Sequence, residues 1–347
     1  MKSVMLVGKR TVEIRDIPMP RINAGEALIA VECVGVCGAE ISWWTSAEDS
    51  SGIPCVLGHE FSGVIMDIHG DGEGFNIGDR VTADPLIACR RCTYCLRGET
   101  NLCDNLRLMG LYGYPGVFCE YVTLPLTRLY AIASEVSARN SVLAEPLASS
   151  IRLLRHIPPN LPKRAKIVIF GAGIQGIFCL NLARMNGWSN VAMVDVNDHR
   201  LHIANEQGAS LIVNALEEDA TDRLKRWTNG SGVEVGIDAS RSGDVRGRLL
   251  QVVAKGGTIL LLGMNDPIAE ADFRLVVERE LKIQGSFGYC SQDFAKAVQY
   301  ICDGCIALDR YIRVLPFADS IKAFVLSSQF EGEYLKTVVC LKNRGVS

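Results

Sequence analysis

The chain has 347 residues, enough for one to three domains and a sizeable buried core. Its net charge of -3 gives no electrostatic footprint for nucleic acid or an anionic membrane, and no apolar run approaches the ~18 residues that cross a bilayer. Thirteen cysteines, most without an obvious partner, and an N-terminus without a signal-peptide core point to a reducing, cytoplasmic setting.

In chain order, residues 1–145 read as mostly β. Runs at 27–34, 63–68 and 80–83 are rich in Val and Ile and are broken by Gly, Pro and Asp. No long helical period shows before Glu145. Residues 147–157 then have helical spacing, stopped by Pro158, Pro159 and Pro162. From there strands and helices alternate. Strands are expected at 166–170, 191–195, 211–213, 235–239, 258–263 and 282–286, and helices at 176–186, 199–207, 219–228, 244–254 and 273–279. Short apolar strands separated by helices predict a doubly wound parallel sheet. The tail adds a helix at 292–302 and a strand at 337–341, and is expected to return to the first lobe. The fold class is therefore α/β: a mostly-β domain over 1–148, completed by 291–347, and a nucleotide-binding domain over 149–290.

Cys89, Cys92, Cys95 and Cys103 are spaced C-x2-C-x2-C-x7-C. That is enough chain to wrap four thiolates around one Zn²⁺ with no open position. Two disulfides are the alternative, which suits a small secreted domain better than this chain. A closed zinc site has no chemistry of its own, so the chemistry lies elsewhere.

Gly171-Ala172-Gly173-Ile174-Gln175-Gly176 follows a strand directly and opens a helix. Gly171 permits the tight turn, Gly173 lets a pyrophosphate approach, and Gly176 lets helix and strand pack. The pyrophosphate would sit on the helix N-terminus. Asp195 ends the second strand, where its carboxylate suits both ribose hydroxyls and repels a 2′-phosphate. NAD is expected over NADP. Arg200 either lies along the adenosine or is a solvated helix charge.

Cys37, His59, Glu60 and Glu145 also stand out. One thiolate, one imidazole and one or two carboxylates suit a catalytic zinc that keeps an open position. Singly, each has an ordinary explanation: a small buried hydrophobe, a core histidine, an acid at a helix start.

Together, Gly35-Val36-Cys37-Gly38, Gly58-His59-Glu60, the four-cysteine lobe, Glu145-Pro146, Gly171 to Gly176 and Asp195 resemble the zinc-dependent medium-chain dehydrogenase/reductases. The match runs in order through nearly the whole chain and is nearest the polyol (sorbitol-type), sugar-alcohol phosphate and threonine dehydrogenase branch. The resemblance implies a GroES-like catalytic domain, a Rossmann domain and two zincs per chain. It implies catalytic zinc ligands at Cys37, His59 and Glu60, with Glu145 a further ligand, direct or through water. A cysteine usually stands at the place of Glu145 in the alcohol dehydrogenase branch, so the carboxylate points to polyols. Further cofactor contacts are implied at Gln175, at Leu262, Gly263 and Met264, and at Ser286 and Phe287. The implied reaction is zinc-assisted, NAD⁺-dependent oxidation of a secondary alcohol to a ketone in a dry cleft between lobes. A polyol, cyclitol or sugar alcohol, phosphorylated or not, is the expected substrate, with a β-hydroxy amino acid such as L-threonine as alternative. A homodimer or homotetramer is implied.

Two departures stand out. Members usually carry Ser or Thr two residues after the ligand cysteine, where a hydroxyl starts a proton relay; here it is Ala39. Many carry His five residues after the cysteine; here it is Ser42. Glu40 stands where Asp is common and is expected to orient His59. The proton is then expected to leave through water held by Glu60 or Glu145, with Ser42 assisting. A second reading, resting on Ala39, is a low-activity protein that binds NAD and zinc; a zinc-free reductase is a third. Trp43 and Trp44 either face substrate or pack the lobe. Cys302 and Cys305 form a lone CxxC that reads as a helix end.

Overall fold

Strand Glu26–Gly35 is the pivot of the first half of the chain, and its sequence, EALIAVECVG, buries seven of its ten positions. It pairs antiparallel with Glu60–His69 and with Tyr121–Pro125, and near its end with Lys336–Cys340. Ile312–Pro316 runs parallel to that last strand. The computed structural model describes residues 1–46, 52–264, 266, 268–329 and 332–341. They divide into two compact units, Met1–Ala148 with Cys290–Ser347, and Ser149–Tyr289.

The core of the first unit is apolar side chains from remote segments, among them Val31, Val34, Phe61, Ile65, Phe118 and Phe324. The register sets Gly35 opposite both Glu60 and Val338, and Cys33 opposite Cys340. Cys33 and Cys340 form a disulfide with their Cα atoms 4.1 Å apart. The other eleven described cysteines are free. A reducing setting was the expectation from sequence; a separation of 307 residues hides the pair, and strand register brings it together. The helix Gly38–Ser46 is a second departure, since no helical period shows there. It is short, and the residues it buries, Glu40, Ile41, Trp43 and Trp44, mix a charge with bulky rings. Trp43 leans on Tyr112 at 5.6 Å and Trp44 on Phe324 at 6.2 Å. Both indoles are buried and pack the lobe.

In the second unit, six described strands form one parallel sheet. Their order is Leu211–Asn214, Val191–Asp195, Ile167–Phe170, Val233–Asp238, Val253–Leu261 and Lys282–Gly285. Sequence order reverses between Ile167–Phe170 and Val233–Asp238, which makes a switch point at their carboxyl ends, the usual place for a ligand. Ile167–Phe170 is buried at every position, as a central parallel strand should be. Asn197 and Asp219 cap their helices by accepting from the amides of Arg200 and Asp222. The fifth strand starts at Val253, earlier than expected, because Val253 already pairs with Val233. Lys282–Gly285 is an edge strand exposed at every position. No described helix is long and apolar enough to cross a membrane.

Candidate functional site

Cys37 follows strand Glu26–Gly35 and precedes helix Gly38–Ser46, while His59 and Glu60 stand at the start of strand Glu60–His69. Pairing of the two strands therefore delivers three donors from two segments. The Cys37 sulfur, a His59 nitrogen and a Glu60 carboxylate oxygen all lie within 4.8 Å of one another. His59 is 2% exposed and Glu60 0%. A thiol, an imidazole and a carboxylate at this separation fit a borderline-soft divalent cation such as zinc.

Glu40 organises this cluster from beneath, fully buried. Its Oε2 accepts the Cys37 amide at 3.0 Å and its Oε1 accepts the Gly58 amide at 2.7 Å. Oε1 also lies 3.3 Å from His59 Nδ1. An Nδ1–H turned to Glu40 leaves Nε2 free to ligate. Glu40 thus stands beside His59, the residue it is expected from sequence to orient.

Lys336 was missed. It opens strand Lys336–Cys340, where a lysine reads as an ordinary strand end. Its Nζ lies 2.6 Å from Glu60 Oε1 and 2.5 Å from Oε2, with both side chains buried. Gly35 makes room for the pair: a Cβ there would sit 2.1 Å from Glu60 Oε2 and 3.0 Å from Lys336 Cε. Burial would lower the ammonium's pKa, but Glu60, Cys37 and Glu145 hold it above the ordinary 10.5. Burial pushes the Cys37 thiol up, with His59 opposing. Burial would likewise lower His59, yet Cys37 and Glu40 outweigh it and hold the imidazole well above its usual range.

Glu145 is the second residue of helix Ala144–Leu154 and lies within electrostatic reach of Lys336. It is not among the three mutually close donors. Ser42 is also outside them; it is half-buried in helix Gly38–Ser46, where its carbonyl accepts the hydroxyls of Thr45 at 2.9 Å and Ser46 at 2.7 Å.

The sulfurs of Cys89, Cys92, Cys95 and Cys103 form a second group within 4.8 Å. Amides of Cys89 and Asn105 donate to Cys103 Sγ at 3.2 and 3.4 Å. Backbone N–H groups of Arg91 and Cys92 bring the Cys89 thiol down to about 6. Burial, and then Cys92 and Cys103, push Cys95 up to about 12. Four sulfurs this close repel one another as thiolates, and a tetrahedral divalent cation balances them.

In the second unit, Gly171 has φ +98, and a Cβ there would sit 2.6 Å from the Ala239 carbonyl. A Cβ on Gly176 would lie 1.8 Å from the Gly171 carbonyl, so helix and turn touch backbone to backbone. Gly173 caps helix Ile174–Met185 and faces open space. The next residue but one, Gln175, has its Oε1 held by the Ser150 hydroxyl at 2.6 Å. Asp195 Oδ2 accepts the Ala172 amide at 2.5 Å, and Oδ1 accepts the amides of Val196 and Asn197 at 2.8 and 3.0 Å. Arg200, in helix Asp198–Glu206, feels the charge of Arg241. Leu262, Gly263 and Met264 follow the fifth strand, and the amides of Leu262 and Gly263 donate to the Asp238 carbonyl at 3.0 and 3.1 Å. Ser286 and Phe287 follow the sixth, with the Ser286 amide on the Leu261 carbonyl at 2.9 Å. These residues line the carboxyl ends of the strands, and a helix N-terminus with glycine at its cap fits a dinucleotide pyrophosphate.

Family comparisons agree with this geometry. Residues 23–134 match the alcohol dehydrogenase GroES-like domain, and residues 176–302 match the zinc-binding dehydrogenase domain. D-xylulose reductase A of Aspergillus oryzae is 30% identical over 331 residues, which covers 93% of this chain and 92% of the relative. The chain belongs to the zinc-dependent medium-chain dehydrogenases. Two solved structures share the fold of this medium-chain dehydrogenase closely. An Escherichia coli oxidoreductase of unknown specificity superposes with TM-score 0.91 at 25% identity, covering 99% of each chain. A candidate zinc-binding dehydrogenase of Sinorhizobium meliloti, bound to NADP, gives 0.90 at 26% identity over 98% of each chain. The medium-chain dehydrogenase is thus an oxidoreductase acting on alcohols with zinc and a nicotinamide cofactor.

Proposed function

We propose that this dehydrogenase oxidises a secondary alcohol of a polyol, cyclitol or sugar alcohol to the ketone, using NAD⁺ and two zincs per chain. The observation that carries the reading is the Cys37–His59–Glu60 cluster, half-buried at Cys37 and buried at His59 and Glu60, with the Glu145 carboxylate in electrostatic reach of its counter-ion Lys336. Kinship with a protein named for D-xylulose, a ketose whose reduced form is a polyol, supports the substrate class. In this reading Cys37, His59 and Glu60 hold the catalytic zinc, with Glu145 a further ligand, direct or through water. Cys89, Cys92, Cys95 and Cys103 hold the structural one. When bound, the zinc supplies Lewis acidity toward an alcohol oxygen and the nicotinamide accepts the hydride. The chain's own part is to orient and to move a proton. Glu40 fixes the His59 ring, and Lys336 pairs with Glu60 and holds its carboxylate in place. With Ala39 unable to pass a proton, water on Glu145 or Glu60 carries it, and Ser42 assists.

On the cofactor side, Gly171, Gly173 and Gly176 cradle the pyrophosphate. Gln175, Leu262, Gly263, Met264, Ser286 and Phe287 complete the contacts, and Arg200 lies along the adenosine. Asp195 accepts three backbone amides, which leaves room for about one more bond on its roughly four lone-pair positions. It takes one ribose hydroxyl, and its charge opposes a 2′-phosphate. NADP is the runner-up, favoured by the closeness of Arg200 and Arg241. A homodimer or homotetramer joined through the exposed edge strand Lys282–Gly285 belongs to the same reading. So do a cytoplasmic location and the lack of a nucleic-acid or membrane partner, supported by the modest net charge, with the Cys33–Cys340 disulfide weighing against a reducing compartment.

The test is NADH formation by zinc-loaded protein on polyols, cyclitols, sugar-alcohol phosphates and L-threonine, with NADP⁺ in parallel and zinc counted. Turnover on a polyol with NAD⁺ and two zincs upholds the reading. Turnover on L-threonine alone selects the β-hydroxy amino acid alternative. Silence across the panel with both zincs bound selects the low-activity binding protein that Ala39 suggests.

A further inference from the structure

One guanidinium joins the turn after the fourth strand of the nucleotide-binding unit to the loop after the fifth. Arg246, in helix Asp244–Val252, places Nη1 2.5 Å from the Asp266 carbonyl and Nη2 3.1 Å from the Gly263 carbonyl. Its Nε lies 3.4 Å from Asp238 Oδ2. Asp238 is buried, and its Oδ1 is held by the Ser240 amide at 2.9 Å and the Ser240 hydroxyl at 2.7 Å. The loop is tied back a second time, where Asp266 Oδ2 accepts the Gly243 amide at 2.9 Å. Between the ties the backbones touch. A Cβ on Gly263 would lie 2.4 Å from the Ser240 carbonyl, as one on Gly171 would meet Ala239. A continuous backbone layer therefore runs from the glycine turn through 239–240 to 263, at the carboxyl ends of the first, fourth and fifth strands.

We propose that Arg246 is a positioning residue for the dinucleotide, holding Gly263 and Asp266 at the end of the fifth strand in their binding positions before the cofactor arrives; this rests on the reading that the unit binds NAD. The chemistry calls for arginine. Two carbonyls and one carboxylate must be met by donors in a fixed planar fork, which a lysine ammonium does not provide. Without the fork, two loop carbonyls and a buried carboxylate lose a partner together, and the loop samples other shapes. If the binding shape falls to about a tenth of the population, apparent affinity falls about tenfold. Turnover at saturating cofactor changes little, because bound cofactor selects the same shape.

The experiment titrates NADH by fluorescence into zinc-loaded full-length protein and measures KM for NAD⁺ and kcat in parallel. Arg246→Met is expected to raise the NADH Kd and the KM about tenfold, with kcat within about twofold. Arg246→Lys is expected to fall between Arg246→Met and the wild type. Asp266→Ala, which cuts the second tie and leaves the guanidinium in place, should weaken NADH in the same direction. Arg248→Met removes an equal charge from the same helix, where Arg248 faces Asp219 at 3.7 Å, and should bind as the wild type does. The proposal is overturned if Arg246→Met binds NADH normally or if Arg248→Met weakens it equally. It is also overturned if Asp266→Ala has no effect, since the guanidinium would then act on the cofactor by charge. A wild type that binds no NADH overturns the cofactor reading itself. Should Arg246→Met fail to fold, Arg246→Lys and Asp266→Ala decide the matter.

Discussion

Replacing Lys336 by Met would leave Glu60 as a carboxylate with no exposure and no counter-ion. In the native protein both of its oxygens lie within 2.6 Å of the ammonium, and the lysine is 6% exposed. Breaking such a pair from one side costs roughly 3–5 kcal/mol, because an isolated charge stays behind in a low-dielectric site. For a unit of this size that is a fall in Tm of roughly 6–20 °C. The double variant Lys336→Met/Glu60→Gln removes both charges and should recover about 2 kcal/mol or more of the loss, since the cost lies in the stranded charge. Urea and thermal unfolding of the metal-free wild type, both single variants and the double variant measure this directly. The lysine's folded pKa is raised, so the pair's contribution is fully present below 10.5 and is lost as pH climbs through the folded value. On the alkaline side the wild type should therefore keep its advantage over Lys336→Met until the pH passes 10.5. A loss under about 1 kcal/mol for Lys336→Met, or a double variant as unstable as the sum of the singles, would refute the reasoning.

Gly35→Ala should drive its methyl into Glu60 and Lys336, costing roughly 1–3 kcal/mol and emptying the Cys37–His59–Glu60 cluster of metal. Metal analysis should find one zinc per chain fewer than in the wild type, and an unchanged zinc content would count against the packing argument. Cys37 and His59 both have raised pKa values and hold protons near neutrality, so a metal must displace them. Zinc affinity at that site should rise from pH 6 to pH 8 in chelator competition, and a flat profile would contradict this. Ser42→Ala and Glu145→Ala should each shift the pH dependence of turnover if they carry the proton in place of a hydroxyl at position 39; profiles matching the wild type would remove them from the relay. In metal-free protein at pH 7, iodoacetamide should label Cys89, at about 6, well before Cys119 and Cys179, which burial pushes up to about 12. Equal labelling rates would show that burial does not set these reactivities.

The six-stranded sheet was legible from sequence because most of its strands are short apolar runs separated by helix-length segments, two of which start on the capping side chains Asn197 and Asp219. The glycine turn and the cysteine cluster were legible because their chemistry is local. Lys336 was not, since its meaning depends on a strand pairing that sets residues 35 and 338 side by side. The same pairing hid Cys33 from Cys340. Arg246 drew no reading from the sequence, because two of its three acceptors are backbone carbonyls, which carry no residue signature. Trp43 and Trp44 remained ambiguous until their neighbours Tyr112 and Phe324 were placed, since an aromatic pair suits a cleft wall as well as a core.

The bond between Cys33 and Cys340 turns the polypeptide into a covalent ring that omits only the two ends. The whole of residues 149–289 lies on that ring. A protease that cuts once anywhere between the bridged cysteines opens the circle without releasing a fragment. The strand that leads to Cys37 and the strand that carries Lys336 stay on one molecule even when the nucleotide-binding unit is severed. Only a reductant lets the pieces part, so nicked protein would run as a single species without thiol and as two with it.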